Sequence, residues 1–298
     1  MTDKNSRKSY LFAGLTVLMW STVATAFKIG LFYTNPANLL FISSLTSLIF
    51  FSALFYSKNK FSDSVKLKGL LNSSLFGFLN PFLYYLILFE AYKLLPAQIA
   101  QPLNYTWVIV VTLLTSVFLK QRQKLISIVG LKISFAGVVV LSSQGSIPGL
   151  GDISLFGIFL ALSSSIFWGV YWLLNLKDTR NDIEKMMLNF AFGTLYILIY
   201  IMLTQNFEFN INVLFAGIYI GLFEMGVTFY VWFKALKYAE STAKTGSIIY
   251  LSPFISLIFI SIVLGEPIAL ISIIGLILII SGILLPKVKE VFIRKSNN

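Results

Sequence analysis

The chain has no cysteine and no histidine. That removes disulfides, Cys/His zinc sites, thiol and imidazole chemistry, and the Ser-His-Asp arrangement together. Charge is also scarce. Only 12% of the 298 residues are Asp, Glu, Lys or Arg, about half the ~25% that covers a soluble globule. Long polar stretches are missing too: no gap between apolar runs exceeds a dozen residues, which leaves no room for a soluble domain. There is no G-x-x-x-x-G-K-[ST] run to cradle a nucleotide. The expectations are no metal, no cofactor and no enzymatic centre, because the remaining charges stand singly.

Apolar residues fill the space. They make up 57% of the chain, with 28 Phe, 14 Tyr and 5 Trp, and the mean hydropathy is +0.84. So much hydrocarbon requires lipid as its solvent. A membrane-crossing helix needs ~20 apolar residues. That length predicts ten spans, near 10–31, 37–57, 69–92, 97–119, 125–143, 153–175, 186–204, 212–233, 245–264 and 268–286. Net charge is +11, yet the basic residues are dealt out between spans and form no patch for nucleic acid. With the N-terminus inside, one set of loops holds 20 of the 23 basic residues, and the opposite loops hold Lys93 beside Asp152, Glu208 and Glu266. Such asymmetry predicts both termini in the cytoplasm and an even number of spans in the inner (plasma) membrane. Ala24-Thr25-Ala26 resembles a signal-peptide cleavage site. The apolar run before it exceeds a signal core, so span one is expected to be retained.

The halves look related. Phe89-Glu90-Ala91-Tyr92-Lys93-Leu94 near the end of span three resembles Phe233-Lys234-Ala235-Leu236-Lys237-Tyr238 near the end of span eight. Gly130 and Gly137 match Gly275 and Gly282 at a constant offset, and Trp20-Ser21 corresponds to Trp168-Gly169. Five spans per half is an odd number, so the second half enters the membrane inverted. Several segments then carry a family resemblance: Leu18-Met19-Trp20-Ser21-Thr22, Ala91-Tyr92-Lys93-Leu94-Leu95-Pro96-Ala97, Tyr250-Leu251-Ser252-Pro253-Phe254 and Gly265-Glu266-Pro267. On these the chain resembles a ten-helix member of the drug/metabolite transporter superfamily built from two EamA-type repeats. The resemblance implies an all-α integral membrane fold. One repeat would cover residues 1–145, an inverted one 152–288, and a cytoplasmic tail 289–298, with alternating access to a central cavity between them. It further implies export of small amphipathic metabolites such as amino acids or amines. Asn104-Tyr105-Thr106-Trp107 is similar to the aromatic amino acid exporter branch, with Val108 where that pattern has proline.

Glu224 is the leading candidate for substrate binding. It lies midway along span eight between Gly221 and Gly226, where a carboxylate facing lipid is costly and the group therefore faces the interior or a wet cavity. It could bind an amine, carry a proton, do both in competition, or be a static tie. The repeat offset pairs it with Asn80, which is followed by Pro81. Trp20, Trp168 and Tyr105 are the aromatic candidates, able to stack on a ring or hold a cation. Lys132, well inside span five, either attracts a carboxylate in the cavity or snorkels to the inner surface; Lys28 is expected to snorkel outward. Pro81, Pro102 and Pro253 free carbonyls within spans and mark bends or gates. The cavity is expected to be lined by spans one, three, four, six, eight and nine. The expected partners are a small-molecule substrate, the bilayer and protons. A membrane-embedded lipid flippase or enzyme, or a non-transporting partner subunit, are the alternative readings.

Overall fold

The computed structural model describes residues 2–58, 67–118, 125–142, 146–147, 151–204, 207, 210–240 and 242–296. The basic loops 59–66 and 119–124 and the junction 143–145, on which part of the charge-asymmetry argument falls, lie outside the described residues. The helices in order are α1 (Thr2–Tyr33), α2 (Pro36–Lys58), α3 (Leu67–Gly77), α4 (Tyr84–Leu94), α5 (Ala97–Asn104), α6 (Trp107–Phe118) and α7 (Leu125–Ser142). The second series is α8 (Leu155–Lys177), α9 (Asp182–Thr204), α10 (Ile211–Ile220), α11 (Val227–Lys237), α12 (Thr242–Ser247), α13 (Ser252–Leu264) and α14 (Leu270–Ser296). A two-residue antiparallel ladder, β1 (Ser146–Ile147) with β2 (Gly151–Asp152), lies between the two series. Among the described residues, most of each apolar run read from the sequence is helical. Among the described residues, seven helical segments are long and apolar enough to cross a membrane, and Leu125–Leu141 and Leu270–Pro286 are shorter apolar helices. The protein is a multi-pass membrane protein.

Two spans are broken at matching places. A wide π-type turn, Phe78–Leu83, joins α3 to α4, and another, Gly221–Gly226, joins α10 to α11. Pro81 has no N–H to continue the ladder, and Asn80 leaves helical geometry with φ −150° and ψ 119°. Gly226 does the corresponding job in the second break, at φ −95° and ψ −89°. A third run is stepped at Tyr105-Thr106 between α5, which contains Pro102, and α6. There the Thr106 hydroxyl donates to the Leu103 carbonyl at 2.6 Å. In the fourth, a tight turn over Ile248–Leu251 precedes Pro253 in the first turn of α13. Backbone groups freed within lipid must find internal partners, and serine and threonine supply many. Ser47 on α2 donates to Gly221 O across the contact at 2.7 Å.

Packing pairs the two series reciprocally. Helix α7 packs against α14, and α2 against α9. Helix α1 packs on α11 and α13, while α8 packs on α4, α5 and α6. The α7–α14 contact runs through glycine. A Cβ at Gly137 would stand 2.7 Å from Gly275 O, and one at Gly130 would strike the Gly282 carbonyl. Because Gly130 meets Gly282 and Gly137 meets Gly275, the two helices are antiparallel. Close backbone approach through small residues is what holds helices together when lipid removes the hydrophobic drive between them.

Candidate functional site

The broken second span delivers Glu224 into the middle of the bundle. Its Oε1 accepts a hydrogen bond from the Tyr85 hydroxyl of α4 at 2.9 Å. Its backbone carbonyl, in the π-type turn, accepts from Trp20 Nε1 of α1 at 3.2 Å. Glu224 thus bridges α4 of the first series and the break of the second. It borders a cavity of about 70 Å³. Elements α1, α4, α5, α6, α8, the Glu224 turn with α11, and the turn before α13 line that cavity, which are the six spans expected from sequence. The walls are aromatic: Trp20 lies 6.2 Å from Phe229, Phe229 lies 5.8 Å from Trp168, and Trp168 lies 4.9 Å from Tyr84, centroid to centroid. Polar groups are few and mutually engaged. Tyr84 donates to Asn104 Oδ1 at 3.2 Å, and Asn104 Nδ2 donates to Ser164 at 3.1 Å. The arrangement can hold one positive charge, through a carboxylate on one side and ring faces around it.

Larger recesses open at opposite ends of the molecule. One, about 580 Å³, is bordered by Trp172, Asn175, Asp178, Lys185, Tyr230 and Lys234. Trp172 is one turn beyond Trp168, with ring centroids 6.3 Å apart, so stacked indoles separate this vestibule from the cavity. The other recess, about 540 Å³, is bordered by Lys28, Lys93, Leu95, Asp152 and Glu266.

A broken-helix bundle with a small central cavity and a vestibule at each end is the architecture of a transporter. The EamA-like transporter family matches the sequence twice, over residues 7–143 and 155–286. The chain belongs to the EamA-like transporter family. An uncharacterized transporter of Archaeoglobus fulgidus is 27% identical over 289 residues, which span 95% of this chain and 98% of that one. The uncharacterized transporter YvbV of Bacillus subtilis is 27% identical over 217 residues, 71% of this chain and 70% of its own. A solved structure described as "Crystal structure of protein" shares the fold, with a TM-score of 0.67 at 18% identity, over 95% of this chain and 97% of that one.

In this EamA-like transporter the residues singled out from sequence separate into groups. Glu224, Trp20, Trp168 and Tyr105 converge on the cavity. Asn80 does not border it; it is fully buried in its own break, near Tyr171 of α8. Lys132 is exposed on α7, away from the cavity-lining residues. Pro81, Pro102 and Pro253 are buried at or near three of the four helix irregularities. Lys28 borders the recess at the Lys93 end, and its ammonium donates to the Tyr92 and Leu95 carbonyls at the end of α4, at 2.9 and 3.1 Å. The end of α4 leaves those carbonyls without intrahelical partners, and a cation satisfies them better than lipid does. Tyr85 and Asn104 are the residues that sequence reasoning passed over as site members. The repeat offset that pairs Asn80 with Glu224 also pairs Tyr85 with Phe229, and that correspondence is a signal for Tyr85.

Proposed function

We propose that this protein is a secondary transporter that exports small amines or amino acids, aromatic ones foremost, by alternating access. In this reading ten helices cross the inner (plasma) membrane as two inverted repeats, residues 1–145 and 152–288. The termini and the tail 289–298 are cytoplasmic. The observation that carries the substrate class is the buried Glu224 carboxylate, held by Tyr85 at 2.9 Å beside a cavity walled by Trp20, Tyr84, Trp168 and Phe229. An ammonium group would exchange the water around it for a carboxylate and ring faces, and its apolar body would stack on the indoles. Tyr105 lines the same wall. Protons compete for the same carboxylate, which couples export to a pH gradient. The reciprocal packing of α1 with α11 and of α8 with α4 supports the inverted repeat, since it gives each half the same neighbours. The matched breaks let each half bend about a shared centre. Asn80 with Pro81, and Pro102 and Pro253, are read as the bending points, and Lys132 as a surface charge.

The test is counterflow in proteoliposomes with radiolabelled aromatic amino acids and monoamines, with and without a pH gradient. Wild type is expected to exchange one of these classes selectively. Glu224→Gln, close in shape but uncharged, is expected to lose ~100-fold in flux, as follows when a group that binds and transfers a proton is removed. Flux and pH dependence unchanged in Glu224→Gln would overturn the reading.

A further inference from the structure

Space and charge are unevenly shared between the cavity and the recesses. Small-molecule sites run to ~300–1,000 Å³. The cavity of about 70 Å³ beside Glu224 is too small for a substrate in this form of the protein, whereas the recess of about 580 Å³ at Trp172 is not. Trp172, Tyr230 and Phe233 give that recess an aromatic wall. Its charged lining does not cancel. Asp178 is taken up by Arg180 at 2.6 Å, and Asp182 by Lys185 at 2.9 Å. Lys185 also donates to the Asp178 carbonyl at 3.3 Å. Lys234 and Lys237 of α11 border the same recess, and among the described residues neither forms an ion pair. Lys234 instead sits over the Tyr230 ring, 5.4 Å from its centroid, a contact that leaves ammonium donors over for an acceptor. The recess at the opposite end differs. There Lys28 is bonded to the Tyr92 and Leu95 carbonyls, and Glu266 to the Ala97 and Gln98 amides. Lys93 and Asp152 remain on its border, one charge of each sign. Charge asymmetry alone places lysines at one face of a membrane protein, but it does not place them in an aromatic recess with no carboxylate to answer them.

We infer that the recess at Trp172 is a capture site for the carboxylate of the substrate, with Lys234 as the cation that receives it and Lys237 adding to the positive potential. The inference rests on the reading of the protein as a carrier of small aromatic amines or amino acids. It chooses between them: amino acids over the amines that lack their carboxylate. An aromatic amino acid would lay its ring against Trp172 or Phe233 and its carboxylate on Lys234. Trp168 and Trp172, with ring centroids 6.3 Å apart, stand between the recess and Glu224, so a molecule held here has yet to reach the central carboxylate. Capture and transport thus use different charges, Lys234 first and Glu224 second. Both belong to one broken span, because α11 leaves the Glu224 turn at Val227 and carries Lys234. A site that pairs its own charge with a group of the substrate rejects the analogue lacking that group, since the charge is then left unanswered. Lys234 is only partly buried, and water takes back part of that advantage, so the discrimination falls at the low end.

The experiment is equilibrium binding to the purified protein in nanodiscs, by calorimetry, of phenylalanine and of phenethylamine, which differ by the carboxylate alone. Wild type is expected to bind phenylalanine ~10-fold more tightly, the low end for hydrogen bonds to a charged group. Lys234→Gln is expected to bring phenylalanine to the level of phenethylamine and to leave phenethylamine unmoved, which also shows that the variant is folded. Lys234→Arg, which keeps the charge, is expected to keep the preference. Equal binding of the two ligands by wild type, or a preference that survives in Lys234→Gln, overturns the capture site and leaves the transport reading standing. Wild type that binds neither ligand overturns both the capture site and the aromatic substrate class.

Discussion

At the scale of single residues, two kinds of ionisable group stand out among the described residues: those tied into ion pairs and Glu224 beside the cavity. Asp178 and Arg180 are of the first kind. Arg180 Nε and Nη2 donate to the Asp178 carboxylate at 3.0 and 2.6 Å, and Nη1 donates to Gly69 O of α3 at 2.8 Å. The clasp therefore fastens the α8–α9 turn to the start of the first broken span. Partial burial pushes the Asp178 carboxyl up, but the Arg180 hydrogen bonds and charge outweigh it and hold the group below its ordinary 3.8. A carboxylate with a depressed native pKa contributes stability above its unfolded value and loses it as pH falls through the native one. Asp178→Asn is thus expected to melt lower than wild type at neutral pH. The gap should close as the pH drops below ~4, where the unfolded carboxyl is already protonated. Thermal melts in detergent from pH ~7 to pH ~3 check this, and a gap independent of pH counts against it. This clasp was not legible in the sequence, because only folding brings Gly69 to Arg180. Glu224 was legible for the opposite reason: a carboxylate in the middle of an apolar run has few inexpensive surroundings. Lys28 shows the limit of that logic. Its spacing along the span gives depth but not direction, and the free carbonyls it caps belong to a helix 64 residues away.

At the scale of helices, apolar length predicted where spans lie, and the breaks came from proline and glycine. Pro81 and Gly226 mark two of them within the sequence, but the π-type geometry that turns Glu224 inward depends on packing against α2. The glycine spacing was legible in full. Gly130, Gly137, Gly275 and Gly282 meet pairwise, and Ser134 ties the contact by donating to Ile279 O at 2.9 Å. A Cβ at Gly282 would fall on the Gly130 carbonyl and the Ser134 hydroxyl, backbone on one side and a short side chain on the other. Neither can yield far without separating α7 from α14. Gly282→Ala is therefore expected to cost ~1–3 kcal/mol, the range for overpacking a close contact. Gly14→Ala on α1, where nothing stands within 4 Å, is expected to be neutral or slightly stabilising, since alanine is the better helix former by ~1 kcal/mol. Melting temperatures of the two variants in one detergent decide it. Equal shifts would mean that the α7–α14 seam is looser than its geometry.

At the scale of the whole molecule, two vestibules of about 580 and 540 Å³ flank a central cavity of about 70 Å³, so the space narrows between them. The narrowing is made by different means at the two ends. Towards Asn175 the barrier is aromatic, with Trp168 against Trp107 and Trp172. Towards Lys93 it is a latch between the halves. Glu266, from the turn between α13 and α14, accepts from the Ala97 and Gln98 amides that open α5, at 3.0 and 3.4 Å. Gln98 answers by donating to Pro267 O and accepting from Ala269 N, both at 3.0 Å. Anion and helix N-terminus suit each other. Stacked rings can slide and re-form at little cost, whereas the latch must break as a unit. Removing it should favour the form open towards Lys93. Hydrogen bonds to a charged group contribute ~1.5–3 kcal/mol, which converts to a population shift of ~10- to 150-fold. The chain's lack of cysteine provides the readout. Ala24 borders the cavity, so Ala24→Cys in sealed vesicles reports access to a membrane-impermeant maleimide from each side in turn. Adding Glu266→Ala is expected to raise labelling from the Lys93 side at least ~10-fold while leaving the other side unchanged. Equal labelling with and without Glu266 would mean that closure at this end lies in the apolar packing of Phe27 and Tyr92, whose rings stand 5.1 Å apart, and that the latch only orders the loop.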